Sequence, residues 1–504
     1  MNKSILETLK PHLIAVGLFI ILTFAYLMPV LQGRELQQHD IGQWTGMSKE
    51  IVDWKAKTGD APLWTNSMFS GMPAYQISMV SPANLIKYVN DLFWLWLPTP
   101  ANYIFLMFLG FYILMVTLKA DWRLSVAGAV AYTMASYNFI IIHAGHNSKA
   151  HAIALLPLVI AGVMMTTRGK FLRGGILTAL ALAMQIYANH LQITYYLALG
   201  IIIYMISEAV YALKEKQLAT YLKASGVLIA ATLLAILPNI TSLWATYEYG
   251  QYSTRGPSEL TEKKMSTGLD KDYALDWSYG QGETMSLLIP DIRGGAMQTE
   301  LPKTSATYKA LQANGAGAQA DSFIKNAPVY WGEKTGAPSY LGAIVIFLFV
   351  LGIFIVDGRS KWWLISASLL SILLAWGKNF PGFSDIFFNH FPGYNKFRAV
   401  SMTLVLAGFT MPFLGILALK KLTDAKEPAI YKKQMLYSFY ITGGICLLFG
   451  LIPGLAGNFS AEYDTNFSKY DWLLTAIRED RMSLLRTDAF RSLFFIAIAF
   501  AALW

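Results

Sequence analysis

Cysteine is almost absent from this sequence, and charge is scarce. Cys446 is the only cysteine, so no disulfide can form within the chain and the polar loops must be held by packing. Only 14% of the 504 residues are charged, whereas a soluble domain carries about 25%. Because long apolar runs alternate with short polar ones, the composition predicts a membrane protein.

Several signatures of soluble enzymes are also missing. The sequence has no GxxxxGK[ST] phosphate-binding loop, no HExxH zinc motif and no convincing serine nucleophile elbow. An ATP-driven mechanism is therefore disfavoured. The formal charge of +9 does not indicate a nucleic-acid partner, because the Lys and Arg residues cluster between apolar runs, where they set membrane topology.

The apolar runs predict an all-α polytopic membrane protein with about 12 transmembrane helices, since a helix needs about 20 apolar residues to cross the bilayer. The first run is interpreted as an uncleaved helix rather than a signal peptide. The predicted spans are residues 12–32, 101–118, 124–142, 151–167, 174–189, 192–212, 223–243, 339–356, 361–376, 400–419, 435–455 and 489–504.

Basic residues predict the orientation of these spans. They cluster in alternate loops, and the N-terminal Lys3 and Lys10 fall on the same side, which is cytoplasmic by the positive-inside rule. The larger polar segments then lie outside, at about 33–100, 244–338, 377–399 and 456–488. Within the first of these, 82–98 suits a helix that lies in the membrane interface.

The predicted spans contain almost no ionisable residue, although ion-coupled transporters commonly need buried carboxylates or histidines. Polar groups gather instead at the outer helix ends. His39 and Asp40 follow the first span, and a carboxylate there could act as a general base or bind a divalent cation. The competing interpretation of Asp40 is a solvated loop acid.

The first outer segment continues with PLWTNSMFSGMPAYQ at 62–76. Its aromatic side chains, with Trp64 and the polar Asn66, could form a surface for a sugar or a lipid. A loop that packs on the membrane interface explains the same residues, because Trp and Tyr are common there.

Histidines mark two further outer turns. HAGHNSKAH carries His143, His146 and His151, but their spacing matches no closed metal motif. These histidines could form hydrogen bonds to a phosphate or sugar, with Lys149 as a charge partner. A polar turn that connects two helices explains the same sequence. YANHLQITYY places His190 and Gln192 among tyrosines, which is also typical of an aromatic belt.

The later outer segments add charged candidates. Arg255 suits phosphate binding by its planar fork. Lys396 and Arg398 lie outside against the positive-inside trend, which suggests a lipid phosphate or a simple headgroup contact. Further acidic and aromatic candidates are Asp272, Asp276, Glu283, Trp331 and Glu333.

Together these stretches resemble the YfhO family of bacterial membrane proteins, within the wider GT-C class of lipid-linked-sugar glycosyltransferases. The resemblance covers most of the chain, and the order and outer placement of its motifs make it more specific than any one motif. It rests on HD at 39–40, PLWTNSMFSGMP at 62–73, GHNSKAHA at 145–152, HLQITYY at 190–196, STRG at 253–256, WSYGQGE at 277–283, YWGEKTGAPSY at 330–340 and KFRA at 396–399.

The resemblance implies a single GT-C-like transmembrane domain over 1–504 in the bacterial cytoplasmic membrane. Such enzymes pass a sugar from a polyprenyl-phosphate carrier to an envelope glycopolymer or lipid acceptor outside the cytoplasm. Asp40 matches their first-loop acid and would act as the catalytic base or orient the acceptor. The residues expected to bind substrate are His39, Trp64, Asn66, His143, His146, Asn147, His190, Gln192, Arg255, Glu283, Trp331, Lys396 and Arg398.

The sequence departs from the family in two respects. Many GT-C enzymes carry another acid in the second outer loop, where this chain has His143 and His146, which argues against metal dependence by that route. The one candidate cofactor is a divalent cation, with Asp40 as a candidate ligand. Related chains are longer, and a C-terminal outer domain is expected to be missing here. Two alternatives stay open: a transporter or flippase of a lipid-linked precursor, and a non-catalytic scaffold. Membrane lipids are expected partners in each case.

Overall fold

The computed structural model describes residues 3–78, 83–256, 268–333 and 337–504. Helices make up 75% of the residues that the structure describes, which confirms the predicted all-α class. In the part of the chain that the structure describes, the only strand pair is β1 (Trp64–Thr65) with β2 (Met72–Pro73), which pair antiparallel.

The chain folds into two compact units. The first comprises Met1–Thr133 and Asn138–Gly268, and the second comprises Met134–Tyr137 and Leu269–Trp504. The prediction of one transmembrane domain over 1–504 stays a prediction.

The described residues up to 250 form twelve α-helices. They are α1 (Lys3–Tyr26), α2 (Met28–Leu31), α3 (His39–Thr58), α4 (Ile86–Phe93), α5 (Ala101–Thr117), α6 (Trp122–Thr133), α7 (Ser136–Ala144), α8 (Asn147–Thr167), α9 (Phe171–Tyr187), α10 (Leu191–Lys214), α11 (Leu218–Ile236) and α12 (Ile240–Gly250). The predicted interfacial segment 82–98 contains α4, and its residue 82 lies outside the described residues.

Helix α8 is the centre of the first unit, since 89% of its most apolar 18 residues are buried. It packs against α5, α9 and α10. Small residues allow the close approach to α9: a Cβ at Gly162 would lie 2.5 Å from Thr178 Oγ1, and one at Gly174 would lie 2.4 Å from Thr166 Oγ1. Such small-residue contacts are the usual means by which helices pack in lipid.

In the second unit, the residues that the structure describes form nine further α-helices. They are α13 (Lys271–Leu275), α14 (Ala306–Ala313), α15 (Ala318–Lys325), α16 (Ala343–Ile355), α17 (Gly358–Ala375), α18 (Pro381–His390), α19 (Leu404–Asp424), α20 (Lys432–Leu451) and α21 (Asp471–Leu503). Helix α19 is central and packs against α16 and α17. In the apolar stretch Val400–Asp424, which contains α19, 78% of the most apolar 18 residues are buried. Helix α21 starts well before the predicted span 489–504, so the segment 456–488, predicted to lie outside, ends in a helix.

Short 3-10 helices connect many of these elements. They cover Ala74–Gln76, Leu237–Asn239, Gln281–Leu287, Pro290–Arg293, Gly377–Asn379, Tyr394–Lys396, Val400–Thr403, Pro428–Tyr431, Pro453–Ala456 and Glu462–Phe467.

Six helical stretches in the described ranges are long and apolar enough to cross a membrane. They are Glu7–Tyr26, Asn147–Thr167, Leu191–Lys214, Leu218–Gly250, Val400–Asp424 and Pro428–Leu451. The pair α6 and α7, bent by 50°, makes a seventh if it counts as one span, while α5, α9 and α16 are apolar but shorter. The chain therefore has the character of a membrane-spanning protein. Every predicted span overlaps a helix, but the number of about 12 crossings stays a prediction.

Candidate functional site

The first turn of α3 lies directly against the turn between α7 and α8. Gly145 makes this possible, because its φ of +96° suits glycine and a Cβ there would come within 3.1 Å of Asp40 Cβ. Gln38, just before α3, donates to Asn147 Oδ1 at 2.9 Å and also to the Ile142 carbonyl. Two of the predicted outer motifs, HD and GHNSKAHA, are thus in contact.

Asp40, His146 and Lys149 form a continuous polar chain. His146 Nε2 lies 2.9 Å from Asp40 Oδ2, and His146 Nδ1 lies 3.0 Å from Lys149 Nζ. A lysine ammonium can only donate, so Nδ1 accepts and the ring proton sits on Nε2. The His146 ring therefore donates to Asp40 and fixes the orientation of the carboxylate.

The Asp40–His146–Lys149 hydrogen-bonded chain is buried at its lysine end and exposed to solvent at its aspartate end. Lys149 is buried at 5% exposure, whereas the Asp40 side chain is 47% exposed and that of His146 is 39% exposed. Burial lowers the pKa of the His146 imidazole, the Lys149 ammonium lowers it further, and Asp40 opposes both. A neutral ring thus supports an accessible carboxylate, which is the arrangement that a general base needs.

His190 lies behind this chain, at the start of α10. Burial, followed by the charge of Lys149, lowers the pKa of His190 to about 4, so its ring is neutral at pH 7. Its Nδ1 is buried and has no hydrogen-bond partner among the described residues. Gln192, predicted beside it, donates instead to Tyr196 Oη at 2.8 Å within α10.

The contact between Lys149 and His146 can be tested by Lys149→Met. We expect the pKa of His146 to rise, because the substitution removes a positive charge that disfavours the imidazolium. The measurement is an NMR titration of histidine-labelled protein, with the His146 signal assigned from His146→Gln. The control is Lys170→Met, at an exposed lysine outside this cluster. An unchanged or lower pKa in Lys149→Met would contradict the proposed polarity of the chain.

The structure does not bring His143, His146 and His151 together. His143 is exposed, whereas His151 is buried, with its Nε2 3.0 Å from Asn90 Oδ1 and its ring against Trp94. His39, the other predicted histidine near Asp40, is also exposed. Among the described residues, no group of three His, Cys, Asp or Glu side chains could hold a metal ion. A divalent cation at Asp40 stays a prediction.

The predicted spans were expected to contain almost no ionisable residue, yet a histidine and a glutamate are buried within them. His151 lies in α8, and Glu208 lies in α10 at 5% exposure. The predicted boundaries included both residues, and only their burial in the fold makes them conspicuous.

Trp64 and Asn66 lie on the β1–β2 hairpin, where both side chains are exposed. Glu50 of α3 organises this hairpin, because its Oε2 accepts from the Thr65 hydroxyl and, at 3.0 Å, from the Asn66 and Ser67 backbone N–H groups. These bonds lower the pKa of Glu50, the Thr65 hydroxyl most. Sequence analysis missed Glu50, which carries no motif of its own.

Arg255 is exposed at the end of the segment that follows α12, and its backbone N–H lies 3.2 Å from Ser253 Oγ. The part of the large loop at 257–267 lies outside the described residues, as do 334–336 of the YWGEKTGAPSY motif.

A second cluster lies in the second unit, around a cavity of about 440 Å³. We call it the Arg293 pocket. Its lining residues are Gln281, Glu283, Arg293, Trp331, Glu333 and Asn379, together with the glycines Gly280, Gly282 and Gly332. The predicted Glu283 and Trp331 therefore belong to one cavity. Sequence analysis did not single out Arg293, although it lies in the same stretch of the large loop.

Glu283 forms the wall of the Arg293 pocket. Its carboxylate accepts from Gly280 N at 2.6 Å, from Glu333 N at 3.1 Å and from the Tyr330 hydroxyl. Burial raises the pKa of Glu283 in spite of these bonds. The carboxyl is thus locked in place and has a structural role in shaping the cavity.

Lys396 and Arg398 do not line this pocket. Lys396 is half-buried, and burial lowers its pKa. The exposed Arg398 stacks on the Tyr273 ring at 5.4 Å and donates to its hydroxyl. The predicted contact of Lys396 and Arg398 with a lipid phosphate stays a prediction.

Comparisons with known proteins assign no family. No family model, no curated protein and no solved structure matches the chain. The function must therefore be argued from the residues and from the resemblance of the motifs.

Proposed function

We propose that the protein is a GT-C-type glycosyltransferase of the bacterial cytoplasmic membrane, with its N-terminus in the cytoplasm. It would transfer a sugar from a polyprenyl-phosphate carrier to an envelope glycopolymer or lipid acceptor at the outer face. The observation that carries the proposal is the half-exposed Asp40 carboxylate, held by a neutral His146 and backed by the buried Lys149.

In the proposed reaction, Asp40 accepts the proton of the acceptor hydroxyl as the hydroxyl oxygen bonds to the anomeric carbon. The bond from that carbon to the carrier phosphate breaks, and the polyprenyl phosphate leaves with the bonding electron pair. Arg255 is a candidate to stabilise the negative charge that develops on the phosphate. Lys396 and Arg398 stay candidates for the same role on the motif resemblance.

His146 would act as a positioning residue in this reaction. Its Nε2–H contacts the Oδ2 oxygen of Asp40, so Oδ1 would be the oxygen that takes the proton. A neutral imidazole also avoids a full positive charge beside the base, which would make the carboxylate a weaker proton acceptor.

A transporter or flippase of a lipid-linked precursor is the second candidate. It is favoured by Glu208 and His151, which are buried within apolar helices, where ionisable groups commonly mark a transport path. The two candidates differ in the product. A transferase forms a new glycosidic bond, whereas a flippase only moves the intact lipid between leaflets.

The test uses purified full-length protein in lipid vesicles, with a polyprenyl-phosphate sugar that is labelled in the sugar. We expect the label to pass to an added envelope glycopolymer and unlabelled polyprenyl phosphate to accumulate. Vesicles without protein are the control. Movement of the labelled lipid between leaflets without transfer would reject the transferase and support the flippase.

A further inference from the structure

The guanidinium of Arg293 belongs to the lining of the Arg293 pocket. It lies 4.0 Å from the centroid of the Trp331 ring, close enough for a cation–π contact. Within the described ranges it makes no hydrogen bond or ion pair, although an arginine offers five N–H donors. Burial lowers the pKa of this group, while Glu283 raises it.

The surrounding backbone fixes the position of Arg293. Trp331 N donates to the Arg293 carbonyl at 2.9 Å, and Phe459 packs on the Trp331 ring at 4.8 Å. Gly282 leaves the room that the guanidinium occupies, because a Cβ there would lie only 2.1 Å from Arg293 Nη2. The donors are therefore pre-organised, so little conformational entropy is lost when a ligand binds.

The same pocket has unused donors and acceptors of other kinds. Trp331 is 5% exposed, and its buried Nε1–H has no partner among the described residues. Asn379 donates through Nδ2 to the Tyr279 carbonyl at 3.0 Å, which leaves its Oδ1 to accept. Glu333 contacts Lys378 at 3.3 Å through Oε2 and has a second carboxylate oxygen.

The charges of the pocket are balanced. Among the described residues, Arg293 is matched by Glu283 in the lining, and Glu333 is paired with Lys378, which lies beside the lining, so neither sign of charge dominates. Apart from Trp331, the lining side chains are polar, which disfavours a lipid tail. A ligand with many groups that both donate and accept fits best, and a sugar hydroxyl does both.

We propose that the Arg293 pocket binds a neutral saccharide, with hydroxyl groups that accept from Arg293 and donate to Glu333 and Asn379. The volume of about 440 Å³ lies in the range of small-molecule sites. The inference does not require the proposed transferase, because it concerns residues of the second unit alone and predicts binding rather than turnover.

The experiment measures binding to the full-length protein in lipid nanodiscs, without any carrier lipid, by saturation-transfer NMR and calorimetry. The probes are the neutral disaccharides cellobiose, maltose and chitobiose, compared with glucuronate and inorganic phosphate. We expect at least one neutral disaccharide to bind, and Arg293→Gln to weaken that binding by about tenfold or more, since hydrogen bonds from a charged donor are lost.

Two further variants keep the test independent of folding defects. Gly282→Ala should weaken binding by displacing the guanidinium, and Asn379→Ala should weaken it by removing one acceptor while leaving Arg293 in place. The control is Arg123→Gln, at an arginine that stacks on Trp122 at 5.5 Å outside the pocket, and it should bind like the wild type. Thermal unfolding of each variant identifies any that is misfolded.

Three results would overturn the inference. They are failure of the wild type to bind any neutral disaccharide, tighter binding of glucuronate or phosphate, and equal binding by Arg293→Gln and the wild type. Loss of transferase activity in the vesicle assay would leave the inference intact, because the binding experiment contains no carrier and requires no reaction.

Discussion

Asp40→Asn is expected to lower the rate of sugar transfer by about 10²–10⁴-fold, the usual contribution of a general base. The asparagine amide has nearly the same shape as the carboxylate but cannot take the proton of the acceptor hydroxyl. The rate constant kcat should fall more than KM changes, because Asp40 acts on the reacting proton rather than on substrate affinity alone. The measurement is the initial rate of labelled-sugar transfer in vesicles.

The chain offers a matched control for this substitution on the same helix. Asp53 is an exposed acid of α3 that pairs with Lys49 at 2.8 Å, far from the turn that holds His146. Asp53→Asn should therefore transfer sugar at the wild-type rate. Sugar transfer at the wild-type rate by Asp40→Asn would contradict the proposed role of this carboxylate. An equal loss of transfer rate in both variants would indicate a general effect on α3.

Arg481→Leu should have the largest effect on stability. The Arg481 side chain is fully buried, and its Nη1 and Nη2 each lie 2.7 Å from an Asp464 oxygen. The same guanidinium donates to the carbonyls of Phe459 at 2.7 Å, Pro328 at 2.8 Å and Val329 at 3.1 Å. It therefore ties α21 to two loops of the second unit.

The expected cost of Arg481→Leu is about 3–5 kcal/mol, because the change leaves the buried Asp464 charge without its cationic partner and removes a donor from several buried carbonyls. The measurement is the thermal unfolding midpoint in one fixed detergent, together with the rate of limited proteolysis. Arg478→Leu is the control, since Arg478 is an exposed residue of the same helix. Equal midpoints for the two variants would contradict the structural role of Arg481.

A double substitution separates the lost ion pair from the lost packing. Replacing a whole buried ion pair by apolar residues is often neutral, whereas removing one partner is costly. Arg481→Leu combined with Asp464→Leu should therefore unfold at a higher temperature than Arg481→Leu alone. A further fall in the midpoint would show that Asp464 has stabilising contacts apart from Arg481, such as its acceptance from Ala461 N at 2.9 Å.

The helices could be predicted well because their cause is local. Every predicted span overlaps a helix, since an apolar run must satisfy its backbone hydrogen bonds internally. The ends were less predictable. Helix α21 continues through charged residues before 489, because Asp480 and Arg481 find buried partners that only the fold supplies.

The candidate sites were predictable in part. Asp40, His146, Glu283 and Trp331 stood out as polar or aromatic residues at the predicted outer ends of helices or in large loops. Their groupings did not, because a motif does not reveal which distant motif it contacts. Arg293 was missed for the same reason: its significance depends on the Trp331 ring and on the space above Gly282.

The helical class, the apolar runs and the lack of an internal disulfide follow from the amino-acid sequence, because composition and periodicity act over a few turns of chain. Which polar groups meet depends on how the helices pack. Gln38 and Asn147 are hydrogen-bonded although they are 109 residues apart, and the same packing brings Asp40 to His146. Such pairs form because α3 packs at Gly145 against the start of α8, and no local pattern encodes that approach.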